Sequence, residues 1–247
     1  MPTAPFDSAF VRRQFPGLDA GWTLFDNAGG SVPLRGVIDR ISEHLTHYAV
    51  QLGASYELSV RAAERVDAGR RAMAQLIRAE PSEIVMSAST TASMNRLARA
   101  LEPQVKVHSE AGGAEIIVTD LDHDTNIAPW ERLAERTGAT LKVWRLRPEG
   151  MTLDVDDLEA LLTERTRIVA MTHCSNLAGE ILDVRRAASA AKAAGALTVI
   201  DGVAYAPHRR VDVRALGCDF YGFSTYKTYG PHLGVLWGRA ELLESLP

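Results

Sequence analysis

An apolar-aromatic run, Asp219-Phe220-Tyr221-Gly222-Phe223, leads straight into Ser224-Thr225-Tyr226-Lys227-Thr228-Tyr229-Gly230-Pro231, and a second apolar run, Gly234-Val235-Leu236-Trp237, follows. Lys227 is thus bracketed by two segments patterned as buried strands, unlike a solvated surface lysine. Partial desolvation favours the neutral amine and makes it a nucleophile toward carbonyl carbons.

Other segments carry groups of matching chemistry, each with a plainer alternative. Asp201 ends the run Val199-Ile200 and precedes Gly202. A carboxylate there can coordinate magnesium, cap a turn, or hold a protonated ring nitrogen, the arrangement that makes a pyridine ring an electron sink. Ser89-Thr90-Thr91-Ala92-Ser93 follows Ile84-Val85-Met86 and opens a helical pattern. Its amides and hydroxyls suit a phosphate, although Ser and Thr are also ordinary helix caps. His123, in Asp122-His123-Asp124-Thr125-Asn126, can stack on a flat ring and relay protons near neutral pH, or simply cap the next helix. No second His or Cys stands at ligand spacing, which argues against a metal. Asn176, in Thr172-His173-Cys174-Ser175-Asn176-Leu177-Ala178-Gly179, can donate its amide to a phenolate oxygen, or belong to a common Asn loop. Cys174 has no evident basic partner and reads as packed rather than nucleophilic. Together these groups are also of the types that one aldehyde, pyridoxal phosphate, would require.

The elements that must position them alternate in type. Strands are expected at Ile84-Val85-Met86, Glu115 to Thr119, Leu141 to Leu146, Arg167 to Thr172 and Leu197 to Ile200, the last ending at Asp201. Helices are expected after Thr90, with Met94, Leu97, Ala98 and Leu101 on one face, and after Asn126 and Pro129, closed by Gly138. Further helices follow Asp154 and run from about Arg185 to Ala194; an earlier one spans Glu57 to Ile77, with Ala62, Val66, Met73 and Leu76 inward. Strand-helix alternation with continuous apolar strands gives an α/β fold, a mostly parallel sheet with helices on both faces. Ligands on such sheets bind beyond the carboxyl ends of the strands, which is where the candidate residues fall. No G-x-G-x-x-G follows a strand, so a dinucleotide-binding reading lacks support.

Composition narrows the classes. The 247 residues are 46% apolar and 23% charged, with a net charge of −4, an ordinary globular balance. That charge gives no electrostatic case for nucleic acid or an anionic membrane. No apolar stretch approaches the roughly 20 residues that span a bilayer, and the N-terminus lacks a signal-peptide pattern. Two cysteines, Cys174 and Cys218, are too few for a disulfide scaffold, and the expected location is the cytoplasm.

The order Thr-Thr, His, Asn, Asp, Lys, each after its own strand, resembles the class V aminotransferase group of fold-type I pyridoxal phosphate enzymes. Within it, the likeness is to the group II cysteine desulfurase and selenocysteine lyase branch. The matching stretches are Phe25-Asp26-Asn27-Ala28-Gly29, Ser89-Thr90-Thr91, Asp122 to Trp130, Thr172 to Asn176, Val199-Ile200-Asp201-Gly202, and Cys218-Asp219-Phe220 through Gly234. They cover the chain from about Leu24. The resemblance implies that Lys227 holds the cofactor as a Schiff base, Asp201 faces its ring nitrogen and His123 stacks on its ring. It implies a phosphate turn at Thr91 with Thr90 beside it, a further phosphate hydroxyl at Ser224, and Asn176 near the ring oxygen O3′. Tyr226 stands where desulfurases carry a phosphate-binding His and still offers one hydrogen bond. Ala204 stands where they carry a Gln and offers none; Tyr205 and His208 are the neighbours available to compensate. The implied organisation is an arm over residues 1–20 and a cofactor-binding large domain over 21–247, without the C-terminal small domain. That domain carries the substrate-binding arginine and, in desulfurases, the catalytic cysteine. The implied function is a pyridoxal-phosphate enzyme acting on a small amino acid, desulfurase-like, as a homodimer. Aminotransferase, β-lyase and epimerase chemistries use the same large domain, and a cofactor-binding fragment without turnover is the alternative of another class.

Overall fold

The computed structural model describes residues 6–247, so part of the expected arm, residues 1–5, lies outside the described residues. The contact pattern divides the chain into two compact units. The first comprises residues up to Gly69 together with Thr225–His232, and the second Arg70–Ser224 and Leu233–Pro247.

In the first unit, helix α1 (Ser8–Arg13) starts where the Asp7 carboxylate accepts the Phe10 amide at 2.9 Å. A 3-10 turn follows at Pro16–Ala20 and ends on Gly21 in the left-handed region. Helices α2 (Arg35–His47) and α3 (Glu57–Ile77) come next, and the unit boundary falls within α3. Arg65 on α3 reaches Glu43 on α2 at 2.8 Å and lies over the Tyr48 ring, its guanidinium 4.3 Å from the centroid. The charge pair and the stacked guanidinium fix the two helices together.

The second unit is a sheet with helices. Its strands are β1 (Ile84–Ser87), β2 (Glu115–Thr119), β3 (Thr140–Trp144), β4 (Thr166–Thr172), β5 (Leu197–Asp201), β6 (Phe220–Ser224) and β7 (Gly234–Gly238). Among the described residues they form one sheet in the order β1-β7-β6-β5-β4-β2-β3. Only β7 runs against its neighbours, and the pairs β6-β5, β5-β4, β4-β2 and β2-β3 are parallel. The remaining helices are α4 (Thr90–Gly112), α5 (Ala128–Thr137), α6 (Val155–Leu161), α7 (Val184–Ala193), α8 (Val213–Leu216) and α9 (Ala240–Ser245).

Alternation along the strands builds two cores, one on each face. Ile117, Val169, Met171, Ile200, Tyr221, Phe223 and Trp237 enter one; Ile116, Val118, Ile168, Ala170, Val199, Phe220 and Leu236 enter the other. Both faces are covered, as the continuous apolar runs require, and the mostly parallel α/β architecture read from the sequence is the one observed. Side-chain caps start α4, α6, α7 and α8 at Ser89, Asp154, Asp183 and Asp212. Gly138 closes α5 in the left-handed conformation, where a β-carbon is disfavoured.

Two expectations shift. β3 stops at Trp144 rather than Leu146, because the Leu146 amide turns to the Asp120 carboxylate at 2.8 Å instead of a neighbouring strand. On α3, Ala62 is buried and Met73 packs against the core as expected, but Leu76 is exposed, and Ala74 and Ile77 are the buried residues of its last turns.

Candidate functional site

At the end of β1 the chain turns into α4. Ser89 caps the helix by accepting the Ala92 amide at 3.0 Å, and Ser87 braces the turn with hydrogen bonds to the Ser89 carbonyl and the Ser93 hydroxyl. The amides of Thr90 and Thr91 belong to the first turn, where intrahelical bonding leaves donors unused. Thr90 is buried, and its hydroxyl meets that of Ser224 at 2.7 Å. The ends of β1 and β6 thereby share one pair of hydroxyls, although β7 lies between them. Gly234 opens β7 so close to this turn that a β-carbon would fall 2.2 Å from the Ser89 carbonyl carbon. Thr91 is exposed at the helix start.

At the end of β2, Asp122 is buried and accepts from the Thr119 hydroxyl at 2.5 Å, the Asn126 amide at 2.8 Å and the Thr172 backbone N–H at 2.8 Å. Asn126 in turn accepts from the Trp130 indole at 3.1 Å. One carboxylate thus ties β2, β4 and the start of α5. Burial, joined by the nearby Asp201 charge, pushes its carboxyl up to about 7 against those donors. The next residue, His123, is exposed, and its Nδ1 accepts the Thr125 backbone N–H at 3.1 Å.

β5 ends at Asp201, which is 4% exposed and accepts the Val203 amide at 2.8 Å. Its backbone carbonyl accepts the His173 N–H at 2.8 Å, just beyond β4. His173 is buried, stacks on Tyr205 with centroids 3.5 Å apart, and meets the Tyr221 hydroxyl at 2.9 Å. Burial brings this imidazole down to about 4, so it stays neutral at pH 7. Gly202 makes room for Tyr221, since a β-carbon there would lie 2.1 Å from the ring. Asn176 is half-buried in the following loop, which Ser175 shapes by accepting the Leu177 and Ala178 amides, each at 3.2 Å. Burial pushes the Cys174 thiol up, which keeps it in the unreactive form expected of it.

Lys227 and Tyr226 belong to the first unit, in a 3-10 turn at Thr225–Lys227. The Thr225 carbonyl accepts both the Thr228 and Gly230 amides at 2.8 Å, and its hydroxyl donates to the Pro231 carbonyl at 2.5 Å. Tyr226 stacks on His232 with centroids 4.5 Å apart, and its carbonyl accepts from Ser31 through both amide and hydroxyl. The Ser31 hydroxyl also accepts the Tyr229 amide at 3.0 Å, and Tyr229 takes a left-handed φ of 64°. Lys227, partly exposed, is carried on a turn closed from both sides.

Thr90 and Ser224 are therefore in direct contact, and His123, Asn176 and Asp201 stand at or just past the carboxyl ends of β2, β4 and β5. Three supporting arrangements escaped the sequence reading: the Asp122 contacts, the Thr125 contacts, and the packing of His173 on Tyr205 and Tyr221. The adjacency of Asp122 to His123 was a signal, but nothing local told which strand Asp122 would meet. Among the described residues no group of acid, His and Cys side chains is arranged to hold a metal.

The donor set of the second unit suits pyridoxal phosphate: amides and hydroxyls for a dianion, a buried carboxylate for a ring N–H, and an exposed imidazole for a flat face. Comparisons with known proteins agree. The family model "Aminotransferase class-V" matches residues 23–247, and pyridoxal 5′-phosphate is that family's cofactor. An aminotransferase-like protein of Gibberella zeae is 44% identical over 96% of this chain and 59% of its own length. A cysteine desulfurase of Serratia proteamaculans is 38% identical over the same shares. The crystal structure of a cysteine desulfurase of Escherichia coli matches 98% of this chain and 60% of its own, with a TM-score of 0.87 and 34% identity. The chain thus spans about 60% of the length of these relatives.

Proposed function

The chain belongs to the class-V aminotransferase family, and we propose that it is the cofactor-binding part of a pyridoxal-phosphate enzyme that removes sulfur from cysteine. The observation that carries the cofactor assignment is the row of strand ends. β6, β5, β4 and β2 are consecutive neighbours, and they bring Ser224, Asp201, Asn176 and His123 to one end of the sheet. Thr90 joins that end through Ser224. Similarity to cysteine desulfurases supports the reaction.

In this reading Thr90, Ser224 and Tyr226 bind the phosphate with hydroxyls, and Thr91 binds it with its backbone amide in the first turn of α4. Asp201, buried at the end of β5, holds a proton at the ring nitrogen. His123 covers the ring face, and Asn176 donates its amide to the ring oxygen. Lys227 supplies the amine that attaches the cofactor and then moves a proton at the substrate carbon. Bound pyridoxal phosphate supplies the electron sink for charge leaving an amino-acid carbon.

The sequence's division into an arm over 1–20 and a large domain over 21–247 belongs to the same proposal, as do a homodimer and a cytoplasmic location. Free Cys174 and Cys218 support that location. Among the described residues no helix is long and apolar enough to cross a membrane.

The first test is colour. The purified chain mixed with pyridoxal phosphate is expected to gain a visible absorption band that the Lys227→Ala variant lacks; a wild-type chain that stays colourless contradicts the assignment. The reaction is tested on the protein that contains this chain. Alanine formed from cysteine supports desulfuration. A keto acid formed from an amino acid supports a second reading, a transaminase, which the 44% identical aminotransferase-like relative favours.

A further inference from the structure

One polar contact chain in the second unit has no part in the roles assigned above. The Thr125 hydroxyl lies 3.0 Å from His123 Nδ1 and 3.0 Å from the Thr91 hydroxyl, while the Thr125 backbone N–H points at the same Nδ1 at 3.1 Å. Thr125 therefore touches both the ring that would cover the cofactor and the turn that would hold its phosphate.

The donor order follows from the inventory of hydrogens. A backbone N–H can only donate, so Nδ1 is an acceptor and the neutral ring carries its proton on Nε2. Two acceptors do not face each other at 3.0 Å without a hydrogen between them, so the Thr125 hydroxyl also donates to Nδ1. Its single hydrogen is then committed. The Thr91 hydroxyl must donate to Thr125 Oγ1, leaving an oxygen lone pair and the helix amides facing outward. The one lone pair of His123 Nδ1 is thus shared between two donors of a single residue, which sets its tautomer.

The anchorage of this segment is firm enough to make the arrangement specific. Asp122 before it is held by three donors, and Asn126 after it is buried against Asp122 and Trp130. Thr125 sits in the 3-10 turn Asp124–Asn126 between them, so the turn holds its backbone N–H toward Nδ1 and brings its hydroxyl between Nδ1 and the Thr91 hydroxyl.

We propose that Thr125 is the positioning residue that orients His123 and locks it to the Thr91 turn. The inference rests on reading this end of the sheet as the pyridoxal-phosphate site. It assigns Thr125 no contact with the cofactor; the residue acts through His123 and Thr91.

Two measurements test it. The first needs no cofactor: long-range proton–nitrogen NMR of the histidine rings at a pH where imidazoles are neutral, with His123 assigned by its loss in His123→Gln. The wild type is expected to show the Nε2–H tautomer, and its Nδ1 resonance is expected to move in Thr125→Val, which keeps the backbone donor and loses the hydroxyl. A predominant Nδ1–H tautomer, or an unmoved resonance, overturns the geometry. The second is the dissociation constant for pyridoxal phosphate in the wild type, Thr91→Val, Thr125→Val, their double variant and Thr125→Ser. Loss of one hydrogen bond predicts binding weaker by about three- to tenfold in Thr125→Val. Thr125→Ser should bind as the wild type does, and the double variant should bind no more weakly than the weaker single one. Wild-type affinity in Thr125→Val, or fully additive losses, overturns the coupling. A wild-type chain that takes up no cofactor refutes the site reading instead, and the NMR result still decides the Thr125–His123 geometry.

Discussion

At the scale of residues, the candidate site depends on small clearances. Gly202 follows Asp201 and leaves the Tyr221 ring its place, with 2.1 Å to any added β-carbon. Gly202→Ala must displace a fully buried tyrosine, so we expect a loss of about 3 kcal/mol or more in denaturant unfolding. A loss under about 1 kcal/mol would show that the ring can move. Asp201→Ala, in the protein that contains this chain, is expected to retain some cofactor and lose turnover, because the ring nitrogen loses its anion; undiminished turnover refutes that role. That Lys227, Asp201 and His123 come at or after the ends of strands was legible in the sequence, because each follows an apolar run. The parts played by Asp122 and Thr125 were not. Their roles come from Thr172 on a neighbouring strand and Thr91 on a neighbouring helix, and no local pattern records which strands become neighbours.

At the scale of elements, the apolar runs announced strands to within a residue or two, since burial on both faces demands continuous hydrophobicity. Polar groups that pin strands at the opposite end of the sheet were invisible. Glu115, 3% exposed at the start of β2, is met by Lys142 of β3 at 2.6 Å, by the Thr163 hydroxyl at 2.7 Å and by Arg165 at 3.0 Å. Burial pushes this carboxyl up, but the bonds from Lys142, Thr163 and Arg165 outweigh it and bring it down to about 2. A carboxyl held lower in the fold than in the unfolded chain stabilises above its unfolded value, about 4.3, and that contribution fades as pH falls toward 2. Glu115→Gln leaves Lys142 without its carboxylate and is expected to cost about 2–3 kcal/mol at pH 7. It should also flatten the acid limb of stability between about pH 4.3 and 2. Thermal melts of both proteins across that range check this, and parallel acid limbs would count against it.

At the scale of the whole molecule, His173 adds a second, higher acid window. Its imidazole is brought down to about 4 by burial, so the unfolded chain takes up a proton first, near its ordinary value of about 6.5. The contribution is full above about pH 6.5 and is lost as pH falls through 4. The Asp122 carboxyl, held up to about 7, gains stability over the same range and opposes this, so the His173 window is read in Asp122→Asn: its melting temperature should fall between pH 7 and 5, and one that stays unchanged contradicts the His173 contribution. The sheet's α/β character and the line of candidate residues at its strand ends were readable from alternation. The grouping of Thr225–His232 with the N-terminal unit was not, because it rests on Ser31, nearly two hundred residues away in sequence. The central claim is that Lys227 attaches pyridoxal phosphate, and the chain offers a clean background, with only Lys106, Lys142, Lys192 and Lys227 as lysines. Borohydride reduction of the cofactor-loaded chain followed by peptide mass mapping should place a pyridoxyl group on Lys227 alone. A label spread over the other lysines, or none at all, contradicts the account.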